Sequence, residues 1–297
     1  MGNKKKLVQK GLCDLFPQNI NQYYEPFSGS CVVAMNTKAN CYNLNDSNIH
    51  LYQLYRMFCD YTSDEIITHV EKRIDEFNLP RERTKRNEYH DKDKIKEYKI
   101  AYHNFRNYYN DDDNYSSYSE KTLDFYTLTM FSFSQQFRFN SKDKYNMPFG
   151  NDCFSEKNKN YIKNGCNFFN KPFVNASCQS FDDFLYDYDE EIFKKDNVFV
   201  YFDPPYANTT AVYNESRGSE FTWNDGWELR LRDVCEDLTA HNIKFAMSNV
   251  FANKDFVNHS LKSWCKRNGY NVHHFNHSYT ACGKGNAKTD EVLIMNY

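Results

Sequence analysis

The sequence predicts an α/β fold built on a doubly wound, mostly parallel sheet, and two observations carry that prediction. The run 198–202 is β-branched and aromatic throughout, as expected of a strand buried on both faces. Near the N-terminus, strand patterns at 23–27 and 41–46 flank a tight turn at 28–30 and a segment, 31–35, that fits a helix. This strand, loop, helix, strand order opens a doubly wound sheet, whose ligands bind at the carboxyl ends of the strands.

The C-terminal third continues the alternation of helices and strands. The predicted elements are a helix carrying Trp227, Leu231, Val234 and Leu238, a strand at 243–248, a helix at 256–264 and a last strand at 292–295. We therefore assign 1–55 and 175–297 to one α/β domain.

Residues 56–174 differ in character and are predicted to be an inserted, mostly helical region. Ile95, Tyr98, Tyr102, Phe105 and Tyr109 are spaced three and four apart, which indicates one face of a helix that packs in the core. From 136 to 149 apolar and polar residues alternate about a polar turn at 141–144, which predicts a β-hairpin. A β-ribbon of this kind can enter a DNA major groove.

Composition limits the class of protein. The 297 residues have a mean hydropathy of −0.86, but 25 Phe, 24 Tyr and 3 Trp provide enough apolar area for a core. No apolar stretch reaches the ~20 residues of a membrane span, and no secretory signal follows the Lys-rich start, so an intracellular protein without a membrane partner is expected. The net charge of −3 shows no overall signature of nucleic-acid binding, although local patches decide phosphate contacts.

The cysteines and histidines predict no metal site. The ten cysteines are irregularly spaced, without a Cys-x-x-Cys pair, so reduced thiols are favoured over a disulfide framework or a zinc site. The neighbouring His273, His274 and His277 lack carboxylate or cysteine partners at metal-ligand spacing.

The tetrapeptide Asp203-Pro204-Pro205-Tyr206 follows the apolar run directly and carries the most chemistry in the sequence. Two successive prolines stop the strand and stiffen the loop. Asp203 and the Pro204 carbonyl could accept the two hydrogens of an amino-bearing base while Tyr206 stacks on the base. An Asp-Pro after a strand is also an ordinary turn, so this loop alone does not decide between the two interpretations.

Further short motifs occur in a fixed order around this loop. They are Gly2-Asn3-Lys4, Glu25-Pro26-Phe27-Ser28-Gly29, Asn45-Asp46, Tyr213-Asn214, Ser248-Asn249 and Thr289-Asp290-Glu291-Val292. With this order the chain resembles the DNA adenine-N6 methyltransferases that carry an Asp-Pro-Pro-Tyr loop, and most closely the Dam group of T-even-like phages and bacteria. The resemblance implies a Rossmann-like methyltransferase sheet, with 56–174 as the target-recognition region, and a bacterial or phage source.

The same resemblance implies S-adenosylmethionine as methyl donor and S-adenosylhomocysteine as product, without a metal. The implied cofactor-binding residues are Gly2, Asn3, Lys4, Phe27, Gly29, Asp46, Phe181, Asp183 and Asp203. Asp46 would accept from both ribose hydroxyls, as acids at this strand end do in nucleotide folds. Lys4 would cover the donor's carboxylate end. An ordinary loop pair is the alternative for Phe181 and Asp183.

Double-stranded DNA is the implied substrate, with the target adenine flipped out of the stack and held on Tyr206. Asp203, Pro204, Pro205 and Tyr206 would then form the catalytic loop. Arg138, Asn140, Pro148, Phe149 and Asn151 are the expected DNA-binding residues. Arg138 would contact a guanine edge or a phosphate, with a plain surface arginine as the alternative.

GATC is the candidate DNA word, although Asn151-Asp152 replace basic residues of the family and weaken that inference. Ser30 and Cys31 stand where relatives usually have glycine, which could lower the affinity for the donor. A cognate restriction nuclease is a candidate partner, and the sequence gives no oligomeric state. The competing interpretations are methylation of RNA adenine or of a protein amide, and a catalytically silent nucleic-acid-binding module.

Overall fold

The computed structural model describes residues 4–83, 92–186, 196–206, 223, 225–253, 256–278 and 288–297. The chain divides into two compact units. Among the described residues, one unit contains those up to Ile49 and those from Pro172 onward, and the other is His50–Lys171. These boundaries lie at 49/50 and 171/172, where the sequence suggested 55/56 and 174/175. The assignment of DNA recognition to the second unit stays a prediction.

The first unit is built on a sheet with eight strands in the described part of the chain. They are β1 (Ile20–Glu25), β2 (Ala39–Asn45), β3 (Val174–Ser177), β4 (Val198–Phe202), β5 (Lys244–Asn253), β6 (Phe256–Val257), β7 (Asn271–Ser278) and β8 (Lys288–Met295). The order is β3-β2-β1-β4-β5-β8-β7, with β6 paired to β5. The first five strands of this order run parallel, and β6, β7 and β8 pair antiparallel. The predicted α/β class with a mostly parallel sheet is confirmed.

The sheet is covered on both faces, which explains why every residue of β4 is buried. On one face Val200 and Phe202 join a core formed with the helices α7 (Phe181–Tyr186), α8 (Asp225–Ala240) and α9 (His259–Asn268). On the other face Phe199 and Tyr201 pack against Phe16, with ring centroids 4.8 and 5.3 Å away. The N-terminal segment that supplies Phe16 includes a short helix, α1 (Lys5–Val8).

Two predicted helices differ from the structure. The segment 31–35 forms only a 3₁₀ turn at Ala34–Asn36, because the side chains of Asn36 and Thr37 donate to the carbonyls of Val32 and Val33. Such side-chain bonds compete with helix continuation. The helix predicted at 256–264 begins at His259, since Asn258 caps it by accepting from the Leu261 N–H at 3.0 Å.

The second unit is mostly helical, as predicted. Its helices are α2 (Ile49–Asp60), α3 (Ser63–Phe77), α4 (Lys92–Tyr109), α5 (Tyr118–Phe131) and α6 (Glu156–Phe169). In α4 the predicted apolar stripe buries Tyr102, Phe105 and Tyr109. The predicted hairpin is a ribbon held by two isolated antiparallel bridges, Ser132 to Phe149 and Phe139 to Tyr145, rather than by a continuous ladder.

A buried ionic network joins α3 to α5. Asp124 is 0% exposed, and its Oδ1 lies 2.7 Å from Arg73 Nε and 2.6 Å from His69 Nε2. Its other oxygen accepts from the Tyr115 hydroxyl at 2.7 Å. Arg73 also contacts Glu120, whose side chain is 36% exposed. Because Asp124 is fully buried and Arg73 is only 4% exposed, Asp124 should matter far more to stability than Glu120.

We expect Asp124→Ala to lower the free energy of unfolding by about 3–5 kcal/mol, since it leaves the buried Arg73 guanidinium without its main counter-charge. Glu120→Ala on the same helix is the matched control and should cost less than about 1 kcal/mol. Urea denaturation followed by circular dichroism measures both. Equal losses in the two variants would show that burial does not set the strength of this network.

Candidate active site

The candidate site lies where the strand order reverses. On one side of β1 lie β2 and then β3. On the other side of β1 lie β4 and then β5. In a parallel sheet this reversal opens a crevice at the carboxyl ends of the two central strands. Asp203 follows β4 directly, and Pro26-Phe27 follows β1. The two loops singled out in the sequence therefore start from neighbouring strands.

The catalytic-loop candidate is held by contacts to its own carboxylate. The Tyr206 hydroxyl donates to Asp203 Oδ1 at 3.0 Å. Lys4 Nζ also donates to Asp203 Oδ1, at 2.9 Å, and bonds the Tyr206 hydroxyl. Pro204 is buried, whereas Pro205 and Tyr206 are partly exposed. The loop thus presents a carboxylate and an aromatic ring in fixed relation to each other.

Lys4 lies in a different setting from the one predicted. Its side chain is only 9% exposed, and its ammonium pairs with Asp203 and with Glu291 Oε1 at 3.3 Å. The ammonium is also 4.6 Å from the centroid of the Tyr206 ring, within cation–π range. The structure thus engages Lys4 with protein carboxylates, and its expected contact with the donor's carboxylate end stays a prediction.

The loop after β1 is closed by Asp46 at the end of β2. The Gly29 N–H donates to Asp46 Oδ2 at 2.9 Å, and the Asn48 N–H donates to Oδ1 at 2.9 Å. Gly29 has φ +50°, a left-handed conformation that glycine adopts without strain. Burial raises the pKa of the Asp46 carboxyl to about 6, and the two N–H donors oppose the rise.

Asn45 organises this region, a role that the sequence did not predict. It is 0% exposed, and its amide group donates to the carbonyls of Pro26 at 3.1 Å and Gln179 at 3.0 Å. Its side-chain oxygen accepts from the Gln179 N–H at 2.9 Å. One buried amide therefore ties the loop after β1 to the segment that leads into α7. The motif Asn45-Asp46 included this position but indicated no role for the amide.

Four aromatic rings cluster beside these loops. Phe27 lies 5.3 Å from Phe181 and 5.6 Å from Trp223, and Phe181 lies 5.7 Å from Trp227, all between ring centroids. The sequence predicted Phe27 and Phe181, whereas Trp223 was missed and Trp227 was assigned only to a helix. Within the described residues, the buried Trp223 Nε1 has no hydrogen-bond partner, so a donor is available to a ligand.

Asp183 lies in the first turn of α7. The Ser180 hydroxyl donates to Asp183 Oδ2 at 2.6 Å and accepts from the Asp183 N–H at 3.2 Å. This exchange caps the start of the helix. A cofactor contact by Asp183 stays a prediction. Gly2, Asn3 and the Tyr213-Asn214 pair lie outside the described residues.

Glu25, the last residue of β1, adds a second buried carboxyl group. It is 2% exposed and accepts from the Tyr23 hydroxyl at 3.1 Å. Burial raises the pKa of Glu25 well above its usual range, and the neighbouring Asp203 and Asp46 charges raise it further. The sequence motif identified this position but not its burial.

The expected DNA-reading residues lie on the ribbon of the second unit. Arg138 is exposed, and its Nε donates to Asn146 Oδ1 at 2.7 Å while Nη2 donates to the Asn146 carbonyl at 3.2 Å. Asn140 shapes the ribbon turn, since its side-chain oxygen accepts from the N–H groups of Lys142 and Lys144. Pro148 is exposed, and its carbonyl accepts from the Phe133 N–H at 2.8 Å.

Two residues expected to contact DNA are buried. Phe149 is 5% exposed and its ring centroid lies 5.6 Å from that of Tyr102, and Asn151 is 7% exposed. The close approach beside them requires glycine, because a Cβ on Gly150 would lie 2.4 Å from the Ser132 carbonyl oxygen. The structure therefore places both side chains at the packed base of the ribbon, where an apolar ring gains most by burial, instead of on the surface.

The cysteines and histidines of the described ranges were considered as possible metal ligands. None of the nine cysteines there forms a disulfide, and Cys282 lies outside those ranges. His274 Nδ1 lies 2.7 Å from Asp290 Oδ1. No set of three or more His, Cys, Asp or Glu in those ranges is arranged to hold a metal ion. Within the same ranges no helix has the length and apolar character needed to cross a membrane.

Comparison with known proteins assigns the family. The family model described as D12 class N6 adenine-specific DNA methyltransferase matches residues 1–281. The chain belongs to this family. The match covers both units and includes the loops after β1 and β4, so the resemblance drawn from the sequence motifs is confirmed.

Individual relatives agree with the family. The chain is 33% identical over 301 residues to the type II methyltransferase M.FokI of Planomicrobium okeanokoites, covering 100% of this chain and 42% of the relative. Modification methylase StsI of Streptococcus sanguinis is likewise 33% identical, with the same coverage. A DNA adenine methylase of Vibrio cholerae is 27% identical over 278 residues, covering 91% of this chain and 85% of the relative. The chain therefore spans under half the length of M.FokI and StsI.

Proposed function

We propose that this chain transfers a methyl group from S-adenosylmethionine to N6 of an adenine within a short word of double-stranded DNA. The observation that carries the proposal is the juxtaposition of the Asp203 to Tyr206 loop and the Phe27 to Gly29 loop on the paired parallel strands β4 and β1. Family membership supplies the reaction class. The strand order reverses between β1 and β4, and nucleotides bind at such a reversal in doubly wound sheets.

The residues around the loop after β1 fit the proposed donor. The Asp46 carboxylate accepts hydrogen bonds from two backbone N–H groups. Because a carboxylate has about four lone-pair sites, it can still accept hydrogen bonds from ribose hydroxyls. Phe27, Phe181 and Trp223 offer apolar faces for an adenine ring, with Trp223 Nε1 as a donor. Bound S-adenosylmethionine supplies an electrophilic methyl group. Gly2, Asn3 and Asp183 remain proposed contacts.

Asp203 and the Pro204 carbonyl are proposed to act on the target base. The adenine amino group is a poor nucleophile, because its lone pair is delocalised into the ring. Two acceptors that bind its two hydrogens localise that lone pair and orient it, and the released proton leaves through Asp203 or water. Position and electrostatics dominate such a step. Tyr206 offers its ring as a stacking platform for the flipped-out base, and Pro205 stiffens the loop.

The ribbon is proposed to read the DNA word. Arg138, Asn140 and Pro148 are exposed on it, and Phe149 and Asn151 support its base from the core. Asn146 orients the Arg138 guanidinium through two hydrogen bonds, which limits the rotamer entropy that base contact would otherwise cost. GATC as the recognised word stays a prediction, and mapping of methylated adenines in DNA from expressing cells tests it.

A partner is proposed from the relatives' names, which describe a type II methyltransferase and a modification methylase. A modification enzyme protects DNA from a nuclease that cuts at the same word. We therefore propose a cognate restriction nuclease as the functional partner of this chain. DNA methylated by this chain should resist cleavage by that nuclease, and unprotected DNA should not.

Asp203→Ala should lower the methylation rate by at least about 100-fold, the usual effect of removing one group that stabilises developing charge. DNA affinity should change less than a few-fold, because phosphate contacts lie elsewhere. Tritium transfer from labelled S-adenosylmethionine to DNA, RNA and protein measures the rate and separates the competing substrates. Near wild-type turnover on DNA in this variant would contradict the mechanism.

Affinity for S-adenosylmethionine should fall as pH drops through about 6, because Asp46 is ionised above that pH and protonated below it. A protonated carboxyl group accepts ribose hydroxyls less strongly. Calorimetric titration at pH 8 and pH 5 measures the effect. Asp46→Asn should bind more weakly by roughly 1.5–3 kcal/mol at pH 8 and should lose this pH dependence. An unchanged pH dependence in Asp46→Asn would place the titrating group elsewhere.

Arg138→Ala should relax discrimination at one position of the DNA word by about 1–3 kcal/mol, the worth of a bidentate arginine–guanine contact. Lys142→Ala, exposed on the same ribbon, is the control. If Arg138 instead contacted a phosphate, its loss would weaken binding to all DNA sequences alike and reduce the salt dependence of binding by about one phosphate's share. Rates on a panel of single-base variants measure both changes. Uniform loss in Arg138→Ala would assign it to phosphate.

A further inference from the structure

Glu291 is a buried carboxylate next to the catalytic-loop candidate. It lies on β8 opposite Val250 of β5 and is 3% exposed. Its Oε1 is 3.3 Å from Lys4 Nζ, and its buried Oε2 has no hydrogen-bond partner within the described residues. Burying a carboxylate is costly unless a counter-charge accompanies it. The pairing with Lys4 therefore fixes where the lysine ammonium must stay.

Lys4 in turn constrains one oxygen of Asp203. Its ammonium donates to Asp203 Oδ1 at 2.9 Å and to the Tyr206 hydroxyl. The Tyr206 hydroxyl donates to the same Oδ1 at 3.0 Å. Among the described residues, both of these contacts fall on Oδ1 and neither falls on Oδ2. A carboxylate held at one oxygen by two donors has a defined plane and a defined direction for its second oxygen.

We propose that Glu291 is a positioning residue for methyl transfer, which acts through Lys4 to direct Asp203 Oδ2 toward the amino group of the target base. Glu291 anchors the ammonium, the ammonium and the Tyr206 hydroxyl hold Oδ1, and Oδ2 is left to accept a hydrogen from the base. This inference rests on the proposed function. It assigns Lys4 to the orientation of the catalytic carboxylate, in place of the donor's carboxylate end.

Glu291→Gln tests the proposal, because it keeps the size of the side chain and removes its charge. Asp290→Asn is the matched control on the same strand: adjacent strand residues point to opposite faces, and the Asp290 carboxylate pairs with His274 at 2.7 Å. We expect kcat of Glu291→Gln to fall by about 10- to 100-fold, the size of one charge-assisted hydrogen bond. The control should retain the wild-type kcat.

The division between rate and binding separates positioning from a structural role. With DNA and S-adenosylmethionine both saturating, the loss in Glu291→Gln should persist. The Kd for S-adenosylmethionine, measured by calorimetry, should stay within about 3-fold of wild type. The reason is that the Lys4–Glu291 pair is proposed to orient Asp203 and not to bind the donor. A rate restored by saturating donor, or a large rise in this Kd, would return Lys4 and Glu291 to donor binding and overturn the proposal.

Lys4→Gln and the double variant Lys4→Gln/Glu291→Gln extend the test. Lys4→Gln also tests the proposal if Glu291→Gln proves unstable to heat. Residues that act as one unit give non-additive losses, so the double variant should be no slower than the slower single variant, within about 3-fold. Multiplying losses would overturn the proposal, as would wild-type kcat in Lys4→Gln. A wild-type chain that transfers no methyl to DNA would overturn the proposed function and this inference together, whereas an active wild type with unchanged variants overturns only the inference.

Discussion

The burial of carboxyl groups at the carboxyl edge of the parallel sheet is the constraint on which the candidate site depends. Glu25 ends β1, Asp46 follows β2 and Glu291 lies on β8, and desolvation raises the pKa values of Glu25 and Asp46. Asp203 joins them from β4. The Lys4 ammonium sits between Asp203 and Glu291 and offsets part of the cost of placing like charges together.

The two units hold their candidate functional residues in different ways. In the first, a sheet buried on both faces leaves only its strand ends for polar chemistry, so the reactive groups collect in loops on a rigid base. In the second, the ribbon is short of ladder hydrogen bonds and is held at its base by α4. Tyr102 and Arg106 donate to the Met147 carbonyl, and Asn110 exchanges two hydrogen bonds with the backbone of Tyr145.

The loop after β1 holds a non-glycine residue in a left-handed conformation. The family resemblance led us to expect glycine at positions 30 and 31, where this chain has Ser30 and Cys31. Cys31 nevertheless adopts φ +54°, a left-handed conformation that costs a non-glycine residue about 1 kcal/mol or more. The neighbouring Ser28 hydroxyl donates to the Glu25 carbonyl and accepts from the Asn45 N–H, and these bonds hold the loop in that conformation.

The sequence alone determined the sheet class, the position of β4 with its Asp-Pro-Pro-Tyr loop, and the family, because continuous apolar runs, proline stops and motif order are local signals. It did not determine β3, whose half-buried residues lack a strong pattern, or the burial of Phe149. The partnership of Lys4 with Asp203 and Glu291, and the cross-link by Asn45, were decided only by the tertiary structure. These contacts join residues far apart in the chain, and which side chains meet depends on strand order and register, which local sequence does not encode.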